Sequence, residues 1–387
     1  MPCSHAPSSH VPTALAGPQQ PLALATASGT ERSALRQVYV PQLLARPVVS
    51  EAPCEHTVLA IEKAAARRRR LWLCLGLLVL VLGALASVFI GVANVTPLSV
   101  IRNQGMAREL ILYSRLPRTA AIVLAGSASA IAGVVMQMLV RNRFVEPATM
   151  GTTEAAQAGL LIVAIHAPAM PISGMLAVAS VTALAGTALF LLLLRAIPLR
   201  SAVTVPLLGI MLAGIIGAVT VFFAFRTDRL AMLNSWTTGD FSTVIAGRFE
   251  QLWIVGALSV VIYLVANRLT VLGMGRDVAT SLGVKYRPVM MLGLAMVAIT
   301  SSVVVVVVGS LPFLGLVVPN VVSMLVGDNL RRSLPWVALG GAGLVLLADM
   351  IARLLVFPHE IPIGVVMGVG GAGAFLWLLM RRGARVG

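Results

Sequence analysis

The chain's apolar residues come in long runs, each closed by Pro, Gly or charge, and the first run starts directly after the basic string Arg67-Arg68-Arg69-Arg70. Runs of roughly 20 apolar residues fit the hydrocarbon layer of a bilayer when helical. The pattern predicts spans over residues 71–93, 118–140, 152–166, 174–194, 206–225, 252–268, 289–308, 313–326, 335–357 and 364–381. The expected fold is therefore all-α, a polytopic membrane protein with about ten transmembrane helices. The third and eighth spans are short. Broken or short segments survive at membrane depth only where other protein covers their backbone, which places these two inside the bundle.

Residues 1–66 differ in kind, being rich in Pro, Ala, Ser, His and Gln without a spanning run. They read as a disordered tail ahead of a transmembrane domain at 67–387. The basic start and apolar core of a secretory signal are both missing. A regulatory tail and an overlong reading upstream of the true start account equally well for the segment. Glu62 to Arg70 is expected to form a short basic helix on the membrane surface.

Composition agrees, since 58% of the 387 residues are hydrophobic, 11% are charged and the mean hydropathy is +0.94. A soluble domain carries about 25% charged residues, so no water-facing fold of any size fits here. The net charge of +15 comes almost wholly from arginine, Lys63 and Lys285 being the lysines. It reads as loop charge that orients helices and not as a nucleic-acid surface. With a cytoplasmic N-terminus the inner side holds seventeen cations: Arg67 to Arg70, Arg141, Arg143, Arg195, Arg200, Arg268, Arg276, Lys285, Arg287, Arg331, Arg332, Arg381, Arg382 and Arg385. The outer side holds eight: Arg102, Arg108, Arg115, Arg118, Arg226, Arg229, Arg248 and Arg353. That bias predicts a multi-pass protein with both termini cytoplasmic and an even number of spans.

Several chemistries are excluded. A phosphate-binding loop needs Gly-Lys-Ser/Thr, and Lys63 follows Glu62 while Lys285 follows Val284. Cys3, Cys54 and Cys74 form no CxxC pair, and the histidines beyond the tail, His166 and His359, are too few for a metal site, so neither metal nor cofactor is expected in this chain. Proton-coupled carriers keep buried carboxylates, whereas only Glu154 and Asp349 fall inside spans here. Asp349 has Arg353 one helical turn away, an expected internal ion pair. Glu154 suits the positive end of a helix dipole. Glu154-Ala155-Ala156 imitates the EAA loop of importer permeases but heads an apolar run without a long loop around it. No catalytic constellation remains: the chain moves something, and its energy comes from a partner or from a gradient.

Arg115-Leu-Pro-Arg118, then Gly133 to Gln137, then Arg141-Asn142 with Pro147 and Gly151, resembles the signature region of the FecCD-type permeases. These are membrane subunits of ATP-driven importers for ferric siderophores, haem and vitamin B12. The blocks VGSLPFLGLVVPN and DMIARLLVFPHEIPIG resemble that family's later motifs in the same order. Arg143-Phe144-Val145 and Asn320 depart from the commonest pattern and, with Gly327 to Leu330, resemble the branch serving catecholate-type siderophores. Gly373 stands where the family usually has proline.

The resemblance implies a transport subunit and not an enzyme, working with a second permease subunit (homodimer or heterodimer), two ATPase subunits that bind ATP and Mg, and a periplasmic binding protein. Ferric siderophore is the implied cargo, with vitamin B12 or haem as alternatives inside the family and a proton-coupled secondary transporter outside it. Arg115, Arg118 and Arg353 correspond to arginines that dock the binding protein. Arg115 and Arg118 already stand out, because two cations sit at a helix N-terminus whose dipole disfavours them; lipid phosphates are the competing partner. Gly275, Ala279, Ser281, Leu282, Gly283 and Val284 correspond to the loop that docks on the ATPase, with Ala279 and Gly283 expected on one face. Gly364 and Gly368, a GxxxG pair, are expected at the permease-permease interface, packing within the chain being the alternative.

Overall fold

The computed structural model describes residues 55–90, 105–196 and 204–383, and these are helical and loop throughout, with no strand among them. Twelve helices are used below: α1 (Glu55–Phe89), α2 (Leu116–Val140), α3 (Thr152–His166), α4 (Ile172–Ala196), α5 (Thr204–Arg226), α6 (Leu230–Thr237), α7 (Leu252–Gly273), α8 (Arg276–Ser281), α9 (Tyr286–Val308), α10 (Leu314–Val326), α11 (Leu330–Leu354) and α12 (Ile363–Gly383). Apart from α1, which begins at Glu55 and not near residue 71, and the short α6 and α8, the expected spans and the helices agree to within about five residues at each end, because bilayer-length apolar runs bounded by Pro, Gly and Arg leave little latitude in where a helix ends.

Seven helices among the described residues are long and apolar enough to cross a membrane, and α10 and part of α12 are shorter apolar helices. The sequence pattern had counted about ten crossings; length and hydropathy alone support seven. The difference lies in α3, α10 and α12, whose short or glycine-rich apolar runs fall below a full bilayer thickness. Two further expectations change. The basic string is no separate surface helix, because α1 runs unbroken from Glu55 through Arg70 into the first span. Of the expected tail, residues 1–54 lie outside the described residues, and its last residues are already helical.

α2 is the hub. It packs against α11, α7, α9 and α10, and 72% of its span is buried, against 11% for α1 and 22% for α5. Small residues make this possible: a Cβ on Gly126 would lie 2.8 Å from the Gly341 carbonyl oxygen of α11, so the two backbones touch. In lipid, where hydrophobic exclusion gives no drive to helix pairing, such close approach supplies the dispersion energy. α10, expected inside the bundle because it is short, has its Leu314 to Asn320 stretch buried.

Candidate functional site

The centre of the bundle is a crossing of broken backbone. Gly133 of α2 lies against the backbone of Gly315, and the Gln137 Nε2 donates to the Gly315 carbonyl at 3.3 Å. Past α2 the chain reverses at Arg141 (φ 54°) and re-enters the bundle through residues 142–151. α10 starts there, and its N-cap residue Phe313 provides no side-chain cap. The cap comes from across the loop: Glu146, 3% exposed, accepts a hydrogen bond from the Phe313 N–H at 3.0 Å. A carboxylate at the positive end of a helix answers both the orphan donors and the dipole. Asn320 donates to the Arg143 carbonyl at 2.8 Å, so the two departures from the common family pattern touch. Beside Glu146 lies a polar cavity of about 40 Å³, bordered by Ser129, Thr153, Thr300 and Ser301.

At the α8 end, Arg143 pairs with Asp328 and donates to the Ser323 hydroxyl at 2.8 Å, while that hydroxyl donates to Asp328 at 2.6 Å. This ties the re-entrant segment to the α10-α11 turn. The expected ATPase-docking residues lie on one short helix and its flanks. Gly275 (φ 114°) opens α8 with the Arg141 guanidinium packed against it, and Gly283 (φ 75°) closes the turn after it. The expected common face of Ala279 and Gly283 is not formed. Ala279 is fully buried against the chain's own bundle, and the apolar side chains presented outward, beside the exposed polar Arg276, Asp277, Thr280 and Ser281, are Val278 and Leu282, 43% and 62% exposed. A six-residue helix packed on a wall must turn its small residue inward, whatever the four-residue spacing.

At the opposite end, the α6 end, the three arginines expected to dock a binding protein are buried together. Arg118 donates to Asp349 through Nε at 3.1 Å and through a terminal nitrogen at 2.7 Å, and reaches Glu360 at 2.6 Å. Arg353 pairs with the other Asp349 oxygen, as the four-residue spacing predicts, and donates to the Ser87 and Ile90 carbonyls at 3.2 and 3.0 Å. Arg115 donates to the Val88 carbonyl at 2.9 Å. Exposures of 7%, 9% and 6% for Arg115, Arg118 and Arg353 leave no lipid phosphate in the picture. The cluster clamps the end of α1, otherwise almost unpacked, onto α2 and α11. Charge reversal there would bury a glutamate beside Asp349 and so cost stability as well as any docking. Sequence reasoning had not placed Glu360 or Ser87 in this cluster.

Also at the α6 end, a cavity of about 700 Å³ opens between α6, the last turn of α9 and the start of α12, its polar border formed by Ser235, Thr238, Asp240, Thr243 and Arg248. The strand-like segment through Gly239 and Asp240 is fixed by backbone bonds, Asp240 N–H to the Val308 carbonyl at 2.9 Å and Gly364 N–H to the Gly239 carbonyl at 2.9 Å. That second bond places Gly364 inside the chain. A Cβ there would meet Gly239 N at 2.7 Å, whereas Gly368 faces open space. The GxxxG pair thus splits between an internal contact and an outward one, because residues four apart diverge in height and Gly364 sits at the helix start.

Among the described residues no group of His, Cys, Asp and Glu is arranged to hold a metal ion. Helices of membrane length around a glycine-tight hub, with re-entrant segments, a short helix at one end and a largely apolar cavity with a polar border at the other, define a polytopic transport subunit. The chain belongs to the FecCD transport family, which it matches over residues 78–381. It is 42% identical over 308 residues to the petrobactin import system permease protein YclN of Bacillus subtilis, covering 79% of this chain and 97% of that one. It is 39% identical to the petrobactin import system permease protein FatD of Bacillus anthracis, covering 80% and 90%. The fold is similar to that of a metal-chelate type ABC transporter in an inward-facing conformation, with a TM-score of 0.67 at 26% identity, covering 80% of this chain and 98% of the other.

Proposed function

We propose that this chain is the membrane-spanning permease of an ATP-driven importer, and that its cargo is a ferric siderophore of the petrobactin kind. The observation that carries the reading is the 42% identity across 97% of a petrobactin import permease. In this reading the chain crosses a bacterial inner membrane about ten times, α3, α10 and α12 completing the count, with both termini cytoplasmic. The α8 end then faces the cytoplasm and the α6 end faces outward, in keeping with the arginine and lysine bias.

Two copies, or this chain and a related one, would assemble with two ATPase subunits that supply the ATP and Mg chemistry. Val278 and Leu282 would enter the ATPase groove, with Gly275, Ala279, Ser281, Gly283 and Val284 shaping the helix that carries them. Arg115, Arg118 and Arg353 with Asp349 and Glu360 leave an excess of one positive charge at the outward end (three minus two), which supports docking of an acidic binding protein by the cluster as a whole. Gly368, on the open face of α12, would lie at the permease-permease seam. ATP binding would shift the helices between arrangements open to either side.

The test is uptake of radiolabelled ferric petrobactin by cells lacking the chromosomal gene and carrying it on a plasmid. Uptake should follow the plasmid, persist with a proton uncoupler while ATP is maintained, and stop when ATP is exhausted. Uptake that collapses with the proton gradient at constant ATP would refute the ATP-driven reading.

A further inference from the structure

The cavity at the α6 end has the size of a small-ligand site, about 700 Å³ where such sites run roughly 300–1,000 Å³. Its wall is of two kinds. Met175, Met232, Trp236 and the end of α9 from Val305 to Val308 supply apolar and polarizable surface, while hydroxyls of Ser235, Thr238 and Thr243 line the border. Among the described residues that line it, only Asp240 and Arg248 carry charge. Asp240 is already occupied: its two carboxylate oxygens accept from the Ser242 N–H at 2.8 Å and the Ser242 hydroxyl at 2.7 Å. Arg248 is exposed and enters none of the ion pairs formed among the described residues. It contrasts with Arg115, Arg118 and Arg353 nearby in the fold, each held by carboxylates or carbonyls.

Val305 and Gly309 line this cavity and also the small polar cavity beside Glu146, so the two share a wall at the middle of the bundle. A ligand seated in the outer cavity would therefore rest against the hub where α2, α9 and the re-entrant segment meet.

We infer that this cavity receives the cargo, and that the Arg248 guanidinium anchors the anionic oxygens of the chelate, so that Arg248 makes the permease select anionic ferric chelates over uncharged ones. A guanidinium without an internal partner at the border of an apolar cavity suits a ligand that is oxygen-rich and negative at one edge and apolar elsewhere. The hydroxyls add adaptable hydrogen bonds, and Trp236 with the two methionines gives the apolar part a polarizable wall. The inference rests on the importer reading and deepens it, since neither the family assignment nor the docking arginines assign a role to Arg248.

The experiment is equilibrium binding of ferric chelates to the intact permease-ATPase complex in nanodiscs of uncharged phosphatidylcholine, without binding protein. The probes are radiolabelled ferric petrobactin and an iron(III) tris-hydroxamate of zero net charge. Arg248→Gln should weaken ferric petrobactin binding about tenfold or more, the loss of one charge-assisted hydrogen bond. Arg248→Glu should weaken it further, Arg248→Lys should keep most of it, and salt should weaken the unsubstituted complex more than Arg248→Gln. The uncharged probe should respond little to any of the three. Complex yield on size exclusion reports folding. Equal ferric petrobactin binding by the unsubstituted complex and Arg248→Glu overturns the anchor while leaving uptake, and so the importer reading, untouched. Absence of binding and of cellular uptake overturns both.

Discussion

Replacing Asp349 by Asn tests what the arginine cluster does. Asp349 is completely buried and is shared by two guanidinium groups, those of Arg118 and Arg353, themselves 9% and 6% exposed. Removing the charge of one partner in a buried ion pair costs about 3–5 kcal/mol, because the remaining charge is left uncompensated in a medium that solvates it poorly. Arg118 keeps Glu360, and Arg353 keeps the Ser87 and Ile90 carbonyls, so the lower end of that range, about 3 kcal/mol, applies to Asn. Leu, which offers no acceptor at all, should reach the upper end. The loss should be felt first at α1, whose packing on α11 is thin apart from this clamp. Denaturant-induced unfolding of the purified permease gives the free energy. Thiol crosslinking between Gly83→Cys and Leu346→Cys, in a background with Cys3, Cys54 and Cys74 all replaced by Ser, reads the α1-α11 seam. An Asp349→Asn protein within about 0.5 kcal/mol of the unsubstituted one, a change typical of surface sites, and with undiminished crosslinking, would refute the clamp and return the arginines to a purely external role.

Gly126→Leu should fail to accumulate or should melt far below the unsubstituted protein, because even a Cβ there meets the Gly341 carbonyl and Ala342 Cα at 2.8 and 3.1 Å, backbone that cannot yield; a normal melting temperature would count against the α2-α11 contact. Gly368→Leu, with open space around it, should leave the subunit folded and release it from its permease partner, and a variant that still purifies as the full complex and transports would remove α12 from the seam. Leu282→Glu should lower ATPase co-purification and uptake together while leaving the permease's own melting unchanged, since that side chain is 62% exposed; full ATPase retention would redirect the docking surface elsewhere. Deletion of residues 2–50 should leave uptake intact at equal membrane expression, because the first span begins only near Arg67.

The sequence by itself determined where the helices lie. A membrane span is specified locally, by the length of an apolar run and by the Pro, Gly and Arg that end it, so the ends of α3, α9 and α10 could be read within a few residues. The Asp349-Arg353 pair was legible for the same reason: both residues are on one helix, four apart. What partners a residue across the bundle was not legible. Arg118 finds Asp349 at a separation of 231 residues, and Arg143 finds Asp328 at 185. Only the crossing of α2 with α11, and of the re-entrant segment with α10, brings them together. Burial likewise inverted the reading of small residues. Ala279 and Gly364 match motifs that the sequence assigned to partners, yet the first packs on the bundle and the second on Gly239, while Gly368 stays open. Which face of a helix meets its own chain is decided by the tertiary contacts on every side of it, and a single strand of sequence carries only the spacing.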